Sequence, residues 1–121
     1  MPARILLVDD SPTVLNLLGL VMRQQGYEVV AAKDGLEALR KLQEQPVDLV
    51  ITDVNMPHMD GFTLIATLRA HQAWRGLPII VLSTESSRRD TQVALNHGAN
   101  LYLSKPVSPT DLVAHVRSLL P

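Results

Sequence analysis

Five short apolar runs, rich in Val and Ile, punctuate the chain: "RILLV" (4–8), "YEVVAA" (27–32), "DLVIT" (48–52), "LPIIVLS" (77–83) and "LYLS" (101–104). A helix-like stretch follows each one. Their apolarity is continuous rather than alternating, so both faces of each strand are expected to be covered, as in a parallel sheet with helices on both sides. The helix signals agree. Ser11 with Pro12, and Ser108 with Pro109, read as an N-cap residue followed by proline at the first helical position, and Asp34 with Glu37 reads as a capping box. Val14, Leu17, Leu18 and Val21 are expected to form the core stripe of the first helix, with Leu15 and Leu20 on its flanks and Gly19 leaving a shallow spot between them. Leu64, Ile65 and Leu68 do the same for the third helix, and Leu112, Val113, Val116 and Leu120 for the last. Gly98, after "ALNH", suits a left-handed C-cap.

At 121 residues the chain fits one compact domain, and no linker, repeat or low-complexity stretch divides it, so residues 1–121 are expected to form a single domain with nothing further attached. Lys plus Arg (11) nearly balance Asp plus Glu (12), which leaves no long-range positive field to concentrate DNA or an anionic membrane. Arg88 and Arg89 are too small a basic cluster to argue for nucleic acid. There is no cysteine, so disulfide scaffolds and thiolate metal sites are excluded. The apolar runs are too short to span a membrane, and the N-terminus lacks the order of a signal peptide. A soluble, cytoplasmic and monomeric protein is expected.

The first strand ends on two adjacent carboxylates, Asp9 and Asp10, each of which makes the other harder to ionise. In a parallel α/β sheet, ligands gather at the carboxyl ends of the strands. Those ends carry Asp9 and Asp10, then Asp53, then Ser83 and Thr84, then Lys105. Three carboxylates converging there must share protons or hold a cation. A hard divalent ion answers the difficulty, and Mg²⁺ is the natural choice because it takes oxygen ligands and keeps several waters, leaving room for a phosphoryl oxygen. The main-chain carbonyl of Asn55 is well placed as a further ligand. Taken singly these residues have ordinary explanations: an Asp-Asp pair often makes a turn and cap, a lysine before proline is usually solvated, and a Ser-Thr pair usually caps a helix. Their coincidence on one sheet edge favours a site.

The motifs "VDDS", "DVNMPHMDG", "VLSTE" and "YLSKP", in this order along the whole chain, resemble the receiver domain of two-component response regulators, and among these the stand-alone chemotaxis type. The resemblance implies a flavodoxin-like doubly wound (βα)5 fold with strand order 2-1-3-4-5. It implies Asp53 as phosphoacceptor, Asp9 and Asp10 as the acidic pair that positions Mg²⁺, Lys105 as the phosphoryl-binding lysine, Ser83 as the switch hydroxyl and Tyr102 as the switch aromatic. A cis bond between Lys105 and Pro106 is implied as well. Phosphoryl groups would come from a histidine kinase or a histidine phosphotransfer protein, and a downstream protein would read the surface of the fourth helix, fifth strand and fifth helix. Asn55 and Glu85, two residues beyond Asp53 and Ser83, are expected to tune signal lifetime. Leu15 and Leu20 are expected to help dock the phosphohistidine donor.

Three rivals are weaker. A flavodoxin-like cofactor binder needs a hydroxyl- or glycine-rich phosphate cradle where this chain has "DDSPT". A small phosphatase forming an aspartyl phosphate usually places nucleophile and acid as Asp-x-Asp in one loop. A receiver that signals by binding alone would not need the full set of site groups. His58, His71, His97 and His115 show no metal-ligand spacing; His58 is expected exposed in the loop after Asp53, and Trp74 to be a partly packed loop anchor.

Overall fold

The computed structural model describes residues 2–84 and 87–120. Strands β1 (Arg4–Val8), β2 (Glu28–Ala32), β3 (Leu49–Thr52), β4 (Ile79–Ser83) and β5 (Leu101–Ser104) alternate with helices α1 (Pro12–Gln24), α2 (Gly35–Glu44), α3 (Gly61–Ala70), α4 (Arg88–His97) and α5 (Pro109–Leu119). The sheet is parallel throughout, in the order β2-β1-β3-β4-β5. This is the flavodoxin-like doubly wound arrangement expected from the motifs.

Side-chain parity divides the core in two. Leu6, Val8, Val50, Ile79 and Val81 face one side, where Ala38 and Leu42 of α2, Leu64, Ile65 and Leu68 of α3, and Ala94 of α4 cover them. Ile5, Leu7, Leu49, Ile51, Ile80 and Leu82 face the other, under Met22 of α1 and Leu112, Val113 and Val116 of α5. Residues i and i+1 of a strand point to opposite faces, so continuous apolar runs are what a sheet covered on both sides requires. Each fully buried aliphatic side chain contributes about 1.5–3 kcal/mol relative to exposure, which ties the helices to the sheet.

The caps form where the local signals place them. Ser11 Oγ accepts from the Val14 amide, Asp34 from Glu37 and Ser108 from Asp111, and Gly98 ends α4 in the left-handed region with φ 113°. One helix face differs from expectation. Leu17 is 58% exposed and lies outside the core stripe, whereas Leu15 packs inward with Leu18 and Val21 around buried Met22. Gly19 is also buried, with the position of its absent Cβ 3.8 Å from Val29 Cγ1 on β2. The inward stripe runs 15, 18, 19, 21 and 22. Its centre is a glycine, which carries no apolar signal, so the visible leucines shift the apparent phase by about one residue. Leu20, 54% exposed, is the flank residue expected.

Candidate functional site

At the end of β1 the Asp9 amide still donates to Ala32 O of β2 (3.1 Å), after which the chain turns into α1. Asp9 Oδ1 accepts from the Ser11 amide (2.9 Å), which fixes the carboxylate before the helix begins. Asp9 is buried and Asp10 is exposed beside it. At the end of β3 the Asp53 amide donates to Val8 O (2.9 Å), so Asp53 is held level with the end of β1. Its Oδ1 accepts from the Val54 amide (2.6 Å), with the Asn55 amide at 3.4 Å. This leaves Oδ2 to face the cleft.

Lys105 closes the arrangement from β5. Its main-chain amide donates to Ser83 O (2.8 Å), and the Lys105–Pro106 bond is cis. Its ammonium donates to Asp9 Oδ2 (2.8 Å) and to Asp53 Oδ2 (3.1 Å). Burial pulls the Lys105 pKa down, but the hydrogen bonds to Asp9 and Asp53 and their charges outweigh it, and the net displacement is upward. Lys105 is therefore a fixed positive charge at neutral pH.

One carboxylate oxygen from each of Asp9, Asp10 and Asp53 lies within 4.8 Å of the others. Like charges at that separation repel by a few kcal/mol per pair at an effective dielectric near 20. Three ionised carboxylates against one ammonium leave two negative charges, the amount a divalent cation cancels. The donors are all hard oxygens, and Asp10 is open to solvent, so a partly hydrated Mg²⁺ fits the set.

Ser83 is fully buried, and Tyr102 is half-buried against the core on the α3–α4 side. In the β4–β5 register Val81 pairs with Tyr102 and Ser83 with Ser104. Val81 faces that core, so Ser83, two residues on, shares its face with Tyr102. Asn55 is exposed in the loop after Asp53. Glu85 lies outside the described residues. Trp74 is half-buried, packs against the α3-side core and stacks on His71 (4.2 Å between centroids).

Two contributors carry little sequence signal. Gly61 starts α3 immediately behind the site: a Cβ there would lie 2.2 Å from Asp53 O and 2.7 Å from Val54 Cα. Asp60, the N-cap of α3, accepts from the Thr63 amide (2.8 Å), so the "DG" that ends the long motif both starts a helix and lets it approach Asp53 closely. The second contributor is His58. It is exposed as expected, but takes φ 68°, and its Nδ1 lies 2.9 Å from Oδ2 of buried Asp34. The contact spans 24 residues, beyond the reach of any local pattern.

The Asp34 pKa is lowered, first by the hydrogen bond from the Glu37 amide and then by His58, against the opposing effect of burial. A carboxylate with a depressed folded pKa stabilises the fold above its unfolded value, and that contribution disappears as pH falls through the folded one. Asp34→Asn keeps the cap acceptor and removes the charge. It is expected to cost about 1 kcal/mol at pH 7, a Tm lower by roughly 3–6 °C. The gap should close below about pH 4. A constant gap from pH 7 to pH 3 in thermal melts would remove the charge from the explanation.

Carboxylates, lysine and buried hydroxyl at the carboxyl edge of a five-stranded parallel sheet define a class: phosphorylation-controlled signalling modules. The chain belongs to the response regulator receiver domain family, whose model matches residues 5–117. It is 45% identical over 111 residues to the transcriptional regulatory protein GlrR of Escherichia coli, covering 92% of this chain and 24% of that one. Among solved structures it resembles the chemotaxis protein CheY4 of Vibrio cholerae, with TM-score 0.94, 37% identity, and coverage of 99% of this chain and 100% of that one. It also resembles the receiver domain of the sensor histidine kinase PA1611 of Pseudomonas aeruginosa, solved with a magnesium ion in the active-site cleft. Here the TM-score is 0.90 and the identity 30%, with 98% of each chain covered. The chain spans about a quarter to a half of the length of the curated relatives it matches. The phosphatase reading finds no support. Among the described residues, no helix is long and apolar enough to cross a membrane.

Proposed function

We propose that Asp53 accepts a phosphoryl group from a histidine kinase or histidine phosphotransfer protein, and that Ser83 and Tyr102 convert its arrival into a change of surface. The observation that carries this reading is that the Asp53 carboxylate lies in one cluster with Asp9, Asp10 and the Lys105 ammonium. Asp9, Asp10, Asp53 and the main-chain carbonyl of Asn55 would hold Mg²⁺. When bound, the ion supplies neutralising charge for the phosphoryl oxygens. The carboxylate of Asp53 attacks phosphorus in line, and the bond to the donor nitrogen breaks as the new oxygen–phosphorus bond forms. Lys105 pairs with one phosphoryl oxygen and Ser83 donates to another. The chain thereby assists its own phosphorylation and, with water as nucleophile, its dephosphorylation.

Ser83 moving toward the phosphoryl group vacates space on the sheet face it shares with Tyr102, whose ring turns in. This biases an existing two-state equilibrium, and a downstream protein selective for the α4–β5–α5 surface reads the outcome. Asn55 and Glu85, two positions beyond Asp53 and Ser83 in the chain, set the lifetime of the acyl phosphate and keep it short.

Docking of the donor uses α1, through exposed Leu17 rather than the inward Leu15. Leu17 and Leu20 are the exposed leucines of α1, and Leu17 borders a groove of about 190 Å³ with Val14, Leu18, Leu82, Pro106 and Val107, beside Lys105. An apolar side chain from the helix that carries the phosphohistidine would seat in that groove. Transfer of labelled phosphate from a phosphorylated histidine phosphotransfer protein tests both claims. Wild type should become labelled and Asp53→Asn should not, while Leu17→Glu with Leu20→Glu should slow transfer at least tenfold yet leave uptake from a small acyl phosphate unchanged. Label retained by Asp53→Asn would overturn the acceptor assignment, and undiminished transfer to the double variant would overturn the docking face.

A further inference from the structure

Arg69, near the end of α3, sits far from the carboxylate cluster and has no part in the chemistry above. Its guanidinium contacts no carboxylate among the described residues. It donates instead to main-chain oxygens of Arg75 (2.9 Å), Leu77 (2.6 Å) and Trp74 (3.3 Å) in the α3–β4 connection, and to Gly98 O (3.0 Å) at the end of α4. A fifth bond reaches Asn100 Oδ1 (3.0 Å), and the same oxygen accepts from the Ile79 amide (2.8 Å) at the start of β4. The Asn100 amide returns a bond to Ile79 O (2.8 Å). One half-buried cation thus joins the end of α3, the entry to β4 and the exit of α4. Carbonyls at a helix C-terminus attract positive charge, and a planar guanidinium can serve several at once.

Helix α4 is attached unevenly. Towards its C-terminal end Ala94 is fully buried, Ala99 packs in the same core, and a Cβ on Gly98 would meet Arg69 Cγ at 2.7 Å, so the Arg69 stem lies directly against the cap. The first turn buries no side chain: Arg88 and Arg89 are exposed, and Asp90 and Thr91 are half-buried. Its cap bonds, from the Asp90 amide to Ser87 Oγ (3.0 Å) and from Thr91 Oγ1 to Ser87 O (3.1 Å), are internal to the helix. They hold the turn together without tying it to the sheet. That loosely packed turn follows the segment leading from Ser83.

We propose that Arg69 is the pivot of α4: the helix tilts about its Gly98 end, which stays fixed, and the displacement is expressed at its first turn. The direction of this motion rests on the switch reading of Ser83, whereas the anchor does not. A ten-residue helix is about 15 Å long, so a tilt of about 10° moves the first turn by about 2.5 Å and leaves Gly98 in place. The first turn is then the segment whose surroundings a partner can read, and the Arg69 end is the reference against which it moves.

Amide hydrogen exchange, with and without beryllofluoride and Mg²⁺ as a stable phosphoryl mimic, tests the proposal. In wild type, exchange at residues 88–91 should change at least fivefold on loading, while residues 97–100 change less than twofold. In the resting state, Arg69→Met, which keeps the apolar stem, should speed exchange at residues 97–100 at least tenfold relative to α1. Asn100→Ala, which removes a single acceptor, provides a milder second variant and should act in the same direction. Intact-mass uptake from a small acyl phosphate is expected to stay within twofold of wild type in both. Equal changes at the two ends of α4 on loading would overturn the pivot, as would unchanged resting exchange in both variants. Failure of wild type to take up phosphate would instead overturn the Asp53 reading, and the resting comparison would still decide the anchor.

Discussion

Lys105→Met is expected to tighten Mg²⁺ binding about tenfold while slowing phosphoryl uptake by about a hundredfold, two effects of opposite sign from one substitution. The Lys105 ammonium pairs with Asp9 Oδ2 and Asp53 Oδ2, on two of the three carboxylates that would hold a cation. Removing it uncovers two carboxylates that only an incoming ion can then neutralise, and tenfold corresponds to about 1.4 kcal/mol. Uptake moves the other way because the ammonium is a preorganised donor for charge carried by the transferring group, and losing such a donor typically costs about 10²–10³ in rate. Methionine retains the apolar stem, so packing changes little. Calorimetric titration with Mg²⁺ and an intact-mass time course read the two quantities separately. If affinity and rate fall together, the lysine is a structural tie rather than a competitor for the metal position.

Gly61→Ala is the substitution with the largest expected effect on the fold around the site. Helix propensity alone would favour alanine by about 1 kcal/mol. The position of the missing Cβ reverses the sign, because the atoms it would strike, Asp53 O and Val54 Cα, are backbone and cannot swing aside. Asp53 O also accepts from Thr52 Oγ1 (2.8 Å), so the carbonyl is held from behind while α3 presses from in front. Overpacking of this kind costs about 2–3 kcal/mol, a Tm lower by about 10 °C, and the displaced Asp53 should lose uptake rate as well. Gly76→Ala is the matched control, since nothing lies within 4 Å of its Cβ position. Equal melting temperatures for the two variants would show that the close approach behind Asp53 is not needed.

The parts of this molecule legible in its sequence are those set by local rules. Strand runs appear because a sheet covered on both faces leaves few polar positions, and helix starts appear because Ser11, Asp34 and Ser108 satisfy amides three residues on. The site follows from the strands: once Asp9, Asp53 and Lys105 are placed at parallel strand ends, the topology brings them together, and their ammonium–carboxylate contacts are 2.8 and 3.1 Å. Less legible was anything set by rotation or by distant contact. The phase of α1 is hard to read because Gly19, one of its two buried positions, carries no apolar signal, and the docking face lies at Leu17 rather than Leu15. The His58–Asp34 contact and the Arg69 hub join residues 24 and up to 31 positions apart, each with an ordinary local appearance. No periodicity reports a side chain whose partners are carbonyls.

Intact mass after incubation with a small acyl phosphate, in Mg²⁺ and in excess chelator, goes most directly to the role of the acidic cluster. In Mg²⁺ the chain should gain one phosphoryl group, mapped by fragmentation to Asp53, and the gain should nearly vanish in chelator and in Asp53→Asn. Uptake that is just as fast without the metal, or that falls on another residue, would contradict the view that Asp9, Asp10 and Asp53 form one metal-assisted acceptor site.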